Sequence, residues 1–327
     1  MGPDVVPAAA GSGTTLRMLV SAVLGVAAML AVGVYATAVL DRLIGRAVAR
    51  LPLRPGAALA APAREAALLL TQQRVRTERP DAQAWALAPA MLGALAAAAL
   101  VAIPLSPTLA LPEIASGIVY FGAAMAMVMV AVYLHGWSAN AVFPVVGAYR
   151  FVAEALSYEM PLALVLIAAA LPAESLGVGD IVASQARVWN VVRQPLGLPL
   201  YLVAGLGLAF WGPLNWPDAP DLAGGTAAEA SGAQLLLWRA ARAAVLVAVA
   251  AMGAAAFLGG WQGPGLPGGL WMALKTLALV AVMVTAGHLV ARVRLERFVV
   301  VSWVVLIPLA LVDVFLSGVL ALRRVGS

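Results

Sequence analysis

Hydrophobic residues in this chain are gathered into long runs instead of alternating with polar ones. Residues 18–40 carry no charge and are bounded by Arg17 and Asp41. About 20 apolar residues in helical form suffice to cross the hydrocarbon core of a bilayer. Comparable runs at about 82–105, 114–135, 160–180, 195–214, 239–260, 269–290 and 298–321 predict seven further spans. The first run is too long for a secretory signal, and no small-residue cleavage site follows it. The fourth is the least clean, with Glu174 and Asp180 at its end.

The segments between runs are patterned too. Residues 62–73 are rich in Ala and Leu, helix-prone and too short to span, which predicts a helix lying in the membrane interface. Over 143–159, a 100° advance per residue places Arg150, Glu154, Ser157 and Tyr158 on one face and Val145, Tyr149, Val152 and Leu156 on the other. That pattern predicts an amphipathic segment leading into the fourth span, with Pro161 in the span's first turn. It reads either as an interfacial anchor or as a docking surface. The stretch 213–234 is rich in Pro and Gly and carries Asp218, Asp221 and Glu229, a stiffer connection than a Gly/Ser linker.

Composition fits a bilayer solvent. Of 327 residues, 63% are hydrophobic and 11% charged, against about 25% charged in ordinary soluble domains. The fold class expected is therefore an all-α polytopic membrane protein with about eight transmembrane helices and amphipathic interfacial helices. It comprises a flexible tail at 1–15 and a single membrane domain at 16–322. Cysteine is absent, which excludes disulfides and iron–sulfur ligation by cysteines of this chain. His135 and His288 are the only histidines and stand far apart in sequence, so no zinc cluster is expected. The +5 charge is carried almost wholly by arginine. The basic residues have no interleaved aromatic platform, which argues against nucleic acid as a partner.

Arginine also orients the chain. Alternating connections at about 42–81, 136–158, 214–238 and 291–297, with Arg239 and Arg242 directly after the third, account for fourteen arginines, against five elsewhere. Basic residues are retained in the cytoplasm during insertion. Those connections are thus expected to be cytoplasmic, with both termini on the periplasmic side of a bacterial inner membrane.

Ionisable groups within the runs are the candidates for chemistry, because a charge inside a membrane costs several kcal/mol and normally faces a partner or water (~3 kcal/mol on insertion scales). Glu159 stands at the entry of the fourth span. It reads as a group turned to the bundle interior or as a helix cap favoured by the N-terminal dipole. Lys275 and Asp313 each lie about two turns from the outer ends of the seventh and eighth spans. If those spans are adjacent, the two pair; otherwise Lys275 snorkels. His288 reads as a polar helix contact or a relay. Met125, Met127 and Met129 read as packing. No phosphate-binding loop or nucleophile elbow occurs, so the chemistry open to the chain is proton movement or a lipid-soluble substrate.

Two stretches carry a family resemblance. Residues 136–159, G-W-S-A-N-A-V-F-P-V-V-G-A-Y-R-F-V-A-E-A-L-S-Y-E, closely resemble the NuoH-type membrane subunit of bacterial NADH-quinone oxidoreductase (respiratory complex I) at Gly136, Trp137, Asn140, Gly147, Arg150, Ser157, Tyr158 and Glu159. The second is F-L-G-G-W-Q-G-P at 257–264 with Leu270, Trp271 and Lys275. Shorter echoes include the arginine-rich turn at 292–297 with Trp303 and Pro308, Gly45 with Arg46 and Pro62, Asp81 with Ala88 and Pro89, and Glu113 before Gly117, Tyr120 and Phe121. The similarity runs from about residue 18 to 321.

The resemblance implies a subunit that joins the membrane arm of the complex to its peripheral redox arm. It also implies that the chain walls part of the quinone-access cavity and couples quinone reduction to proton movement. On this reading quinone (ubiquinone or menaquinone) is an interfacial substrate, no cofactor is bound by the chain itself, and the isolated chain oxidises no NADH. The partners are the other membrane-arm subunits, the redox arm, lipid and quinone. With the ionisable groups of the spans, the proton-path candidates are Glu159, Glu154, Lys275, Asp218, Asp221, Glu229 and Asp313. The cavity or partner-contact residues are Arg150, Tyr158, Arg46, Glu65, Arg292 and Arg294. The chain departs from the family's pattern at the end of the first span, where Leu40 and Asp41 stand in place of a glutamate and an arginine. It departs again after the fifth span, where 210–218 reads F-W-G-P-L-N-W-P-D in place of an acidic stretch. These departures keep open a second reading, a membrane anchor in an incomplete complex I-like or hydrogenase-like assembly. A secondary transporter is a third, without the paired repeats such folds require.

Overall fold

The computed structural model describes residues 12–52, 55–75, 77–106 and 114–325. Among them, twelve α-helices run in chain order: α1 (Ser12–Val48), α2 (Pro55–Thr71), α3 (Ala82–Val101), α4 (Gly117–Ser138), α5 (Val142–Ala170), α6 (Val178–Ser184), α7 (Asn190–Arg193), α8 (Gly197–Leu208), α9 (Gly232–Phe257), α10 (Gly268–Leu289), α11 (Leu295–Val301) and α12 (Ile307–Val325). Short 3₁₀ turns join several of them, and a π-helical turn at Ser302–Leu306 joins α11 to α12. No strand occurs among the described residues. Of the expected tail, residues 1–11 lie outside the described residues, and α1 already begins at Ser12. Arg54, Arg76 and Glu113 also lie outside them.

Among the described residues, seven helical stretches are long and apolar enough to span: α1, α3, α4, α5 with the turn after it, α9, α10, and α11 continued into α12. The expected fifth span at 195–214 is instead a 12-residue helix, α8. At 1.5 Å per residue, such a helix covers about 18 Å of a core roughly 30 Å thick. Here the chain crosses in pieces. α6, α7 and the turn at 194–196 bring it inward before α8 carries it to the arginine-bearing end. Buried amides supply the backbone partners this break demands. Gln185 Nε2 donates to the carbonyls of Ile181 and Ala255, its Oε1 accepts from the Gly259 and Asn190 amides, and Asn190 Nδ2 donates to Ala169 and Ala256.

The amphipathic segment at 143–159 and the fourth span form one unbroken helix, α5, with Pro161 well inside it. Its polar face is turned inward, where Glu154, Ser157 and Tyr158 are buried. Tyr149 and Leu156 are exposed on the opposite side, as suits a face against lipid. α5 ends at Ala170, leaving Glu174 in a left-handed turn and Asp180 in the short α6.

α9 is the axis of the bundle. Buried residues make up 89% of its spanning window, against 22% in α1 and in the α11–α12 span. It packs against α3, α10, α1, α2 and α8. α12 packs on α5 and α8 instead of on α10. Small residues permit the closest approaches. A Cβ on Gly33 of α1 would stand 2.8 Å from Val247 of α9, and one on Gly205 of α8 would stand 2.6 Å from Val249. The helix expected over 62–73 is α2, which packs on α1 and α9 beside the cavity described next.

Candidate functional site

α1, α2, α3 and α9 enclose a cavity of about 920 Å³. Its walls are mainly apolar: Leu30, Ala31 and Val34 from α1, Ala66 and Leu69 from α2, and Pro89 and Gly93 from α3. One end is charged, with Asp41, Arg42, Glu65, Arg239 and Arg242 in its lining. Glu65 bridges Arg42 of α1 and Arg239 of α9, so one carboxylate ties three helices at this rim. Tyr35 further fastens α1 to α2 by donating to the Leu59 carbonyl. Asp41 faces α10, where its Oδ1 lies 3.0 Å from His288 Nε2.

Arg242 is the pivot between the cavity and the acidic loop. Its Nη2 donates to the Phe210 carbonyl at 2.6 Å, and Nη1 lies 3.6 Å from Asp218 Oδ2. Its guanidinium stands 4.6 Å from the Trp211 ring and 5.0 Å from that of Phe210. Arginine is weakly hydrated and planar, and it suits such an aromatic, carboxylate-bearing pocket better than lysine would. Asp218 also accepts from Trp238 Nε1 at 3.0 Å and from Thr226. His135 is stacked between Trp238 and Trp85, with centroids 3.8 Å and 4.8 Å away.

Behind Phe210 lies the carboxylate pair of α5. Glu154 is fully buried, and among the described residues neither oxygen has a hydrogen-bond partner; the Tyr158 hydroxyl one turn on is likewise buried without one. Gly207 of α8 makes room for both, since a Cβ there would lie 2.9 Å from Tyr158 Cδ1 and 3.4 Å from Glu154 Oε1. The field of Arg242 reaches Glu154. Glu159 is half-buried, with one oxygen shut off from solvent and without a partner among the described residues. Helical phase points to Glu159 as the inward carboxylate; Glu154 is the more deeply enclosed, because the whole polar face of α5 packs against α8 and the loop after it.

At the arginine-bearing surface, Asp221 accepts from Arg150 Nη1 at 2.6 Å and from Arg292 Nη1 at 3.0 Å. The Arg150 guanidinium bonded to it holds its carboxyl below the usual carboxylate range, with Arg292 adding to the effect. This clamp ties α5 to the loop at 213–231 and to the turn before α11. Trp216 reinforces it by donating to the Val293 carbonyl at 2.9 Å. Glu229 sits half-buried in the same loop without an ion pair among the described residues. Arg294 is exposed, and Arg46 donates weakly to the Pro52 carbonyl at 3.4 Å.

Lys275 and Asp313 lie far from this assembly, at the opposite end of the bundle, and they do not pair. Lys275 Nζ donates to the carbonyls of Leu258, Gly260 and Gln262 at 2.6, 2.9 and 2.6 Å, and stands 4.3 Å from the Trp189 ring. It neither snorkels nor meets an acid: it caps the carbonyl end of α9, where a cation is favoured. The expected pairing assumed neighbouring spans, whereas α12 packs away from α10.

The structure thus gathers Glu65, Asp218, Glu154, Tyr158, Arg150, Asp221 and Arg292 at one end, with Glu159 nearby. In the sequence Arg42, Arg239 and Arg242 serve only to set orientation, yet in the fold they form the rim. Their signal is present in the sequence: Arg239 and Arg242 fall one turn apart at the start of an apolar helix, where a charge needs a partner.

A family model described as NADH dehydrogenase matches residues 20–318. The H-type subunit of NADH-quinone oxidoreductase, copy 1, from Rhodopseudomonas palustris (strain BisA53) is 32% identical over 245 residues, covering 75% of this chain and 77% of that protein. The H-type subunit of NADH-quinone oxidoreductase, copy 2, from Cereibacter sphaeroides (strain ATCC 17029 / ATH 2.4.9) is 32% identical over 258 residues, covering 78% and 81%.

Proposed function

The chain belongs to the NADH dehydrogenase family, and from that premise we propose that it is the membrane subunit through which an NADH-quinone oxidoreductase admits quinone and senses its reduction. The cavity walled by α1, α2, α3 and α9 carries this reading: it is apolar along its length and charged at one end. An isoprenoid tail matches the apolar walls, and a quinone headgroup matches a rim of donors and carboxylates. Neither the incomplete-assembly reading nor the transporter reading draws support from the comparisons.

Reduction of a quinone takes two electrons and two protons. The electrons come from a partner subunit, since this cysteine-free chain supplies no thiolate for a cluster. What its residues contribute is orientation and charge. Arg42, Arg239 and Glu65 hold the rim. Arg242 links the rim to Asp218 and, through its field, to Glu154. A change in charge at the rim therefore reaches the buried carboxylates of α5, and Glu154 and Glu159 respond by gaining or losing a proton. Asp221, Arg150 and Arg292 keep the 213–231 loop in register beneath the docked redox arm, to which Arg294 and Arg46 are open and the half-buried Glu229 is close in the same loop. The arginine-bearing end faces the cytoplasm of a bacterial inner membrane, with both termini on the other side.

The test is to isolate the chain from membranes in mild detergent, identify the subunits that accompany it, and compare wild type with Glu154→Gln and Glu159→Gln. We expect the assembly and its NADH oxidation with an artificial acceptor to survive, and proton pumping linked to quinone reduction to be lost. Undiminished pumping in both variants would remove these carboxylates from the path. Absence of redox subunits from the isolate would sink the assignment.

A further inference from the structure

Between α12 and the start of α8, at the end of the bundle remote from the cavity rim, three buried side-chain oxygens have no partner among the described residues: Asp313 Oδ2, Ser317 Oγ and Gln194 Oε1. Their residues are 2%, 1% and 2% exposed. Asp313 and Ser317 are one turn apart on the same face of α12. Gln194 leads into α8, and its Nε2 is held by the Ala168 carbonyl at 2.7 Å, which leaves the amide oxygen as the free end. Asp313 is aimed at the N-terminus of α8. A Cβ on Gly197, the helix's first residue, would stand 3.2 Å from Asp313 Oδ2 and 3.5 Å from Gln194 Cβ. An unpaired buried oxygen destabilises the fold unless something satisfies it.

A cavity between α5 and α12 lies at the same end. Of about 520 Å³, it is lined by Ile167, Ala170 and Leu171 of α5 and its end, by Glu174 and Ser175 at its mouth, and by Gly318, Ala321 and Leu322 of α12. Gly318 follows Ser317 in α12, so the cavity's α12 wall is the turn that also carries Ser317.

We propose that Asp313, Ser317 and Gln194 form a binding site for a small monovalent cation, a water-borne proton or Na⁺, entered from the remote end between α5 and α12. One carboxylate and two neutral oxygens match a single positive charge; a divalent ion would ask for more carboxylate. Among the described residues, no other charge neutralises Asp313. α5 has no ionisable residue between Pro161 and Ala170. Glu174, in the turn after α5, stays at the mouth. On α8, Tyr201 donates to the Val249 carbonyl. Arg193 of α7 is engaged with the Ser184 carbonyl and Asn190. On α11, Glu296 and Arg297 lie at the opposite end. The site does not depend on the quinone reading: it is built from elements that do not line the larger cavity.

The cysteine-free chain makes the test direct. In the assembled complex in sealed vesicles, Ser317→Cys is exposed from the remote side to a cationic methanethiosulfonate, the ethylammonium reagent, and to its anionic ethylsulfonate counterpart. Phe315→Cys, at a lipid-facing position that is 70% exposed as phenylalanine, gives the reference rate at each pH. We expect the thiol introduced by Ser317→Cys to react about tenfold faster with the cation than with the anion, as one unit charge nearby dictates, and the preference to vanish with Asp313→Asn. Slowing by Na⁺ against choline at constant ionic strength assigns the site to Na⁺. Slowing on acidification alone, relative to the reference, assigns it to protons. Equal rates for the two reagents, no reaction faster than at position 315, or insensitivity to both Na⁺ and pH would overturn the proposal.

Discussion

Replacing Lys275 by methionine removes a cation that holds the remote end of the axial helix. The ammonium donates to three carbonyls within 2.9 Å and faces Trp189 and Trp271 at 4.3 and 5.6 Å. Hydrogen bonds to a charged group are each worth about 1.5–3 kcal/mol, and the aromatic faces add about 1 kcal/mol. Desolvating the ammonium costs several kcal/mol in return. Deleting the ammonium leaves three carbonyls without their donor, at about 1–3 kcal/mol for each one that finds no other partner, or about 3–5 kcal/mol together. For a chain of this size that amounts to a lowering of roughly 4–7 °C in melting temperature, readable by light scattering or intrinsic fluorescence of the purified complex. Lys275→Arg is expected to fall nearly as far, since a planar guanidinium does not fit a cage built round a point charge. In a double-mutant cycle with Asp313→Asn, the two changes should add within about 0.5 kcal/mol, as unconnected sites do. A Lys275→Met variant that melts like wild type, or a coupling well above that margin, would refute the capping argument and restore the ion pair.

Asp221→Asn should loosen the 213–231 loop; because the native carboxyl titrates below its unfolded value, its contribution is present above about pH 4 and is lost as pH falls through the lowered native value. Limited proteolysis of the loop across that acid range should show a step in wild type and none in the variant; a step in both would point elsewhere. Gly225→Ala should prevent the loop from closing, since glycine there has φ +56° and an added Cβ would collide with the Pro217 carbonyl; reduced co-purification of partner subunits is the readout. Ala66→Phe, on the α2 wall of the large cavity, should raise the KM for long-tailed quinone several-fold while leaving NADH oxidation by a water-soluble acceptor unchanged. An unaltered KM would remove that cavity from the quinone route.

The membrane character, seven of the spans and the existence of a helix over 62–73 are legible in the composition of those stretches, because each element follows from composition alone. α8 is not. Its residues are as apolar as a full span's, and hydropathy does not register that Pro195 and Gly197 end the preceding turn and start a short helix. Nor can apolar runs say which spans touch, so the Lys275–Asp313 pairing fails on adjacency and not on chemistry. The polar face of α5 is legible from helical phase, but phase alone leaves it an interfacial face; only packing against α8 and the acidic loop reveals that Glu154 is enclosed. Arg242 is visible as a charge and silent as a site, because its partners Phe210, Trp211 and Asp218 come from a Pro-rich loop whose path no periodicity records.

The enclosure of α9 has a consequence for biogenesis. Of the long helices against which it lies, α1 and α3 are already in the bilayer when it leaves the ribosome, as is the shorter α8; only α10 is still to come. The axial helix is thus delivered into a trough open on a single side, and Arg239 and Arg242 at its leading end find Glu65 and Asp218 waiting. An early stop after the 258–267 connection would leave that trough without its last wall, and quality-control proteases that search membranes for unsealed helices would meet it there first.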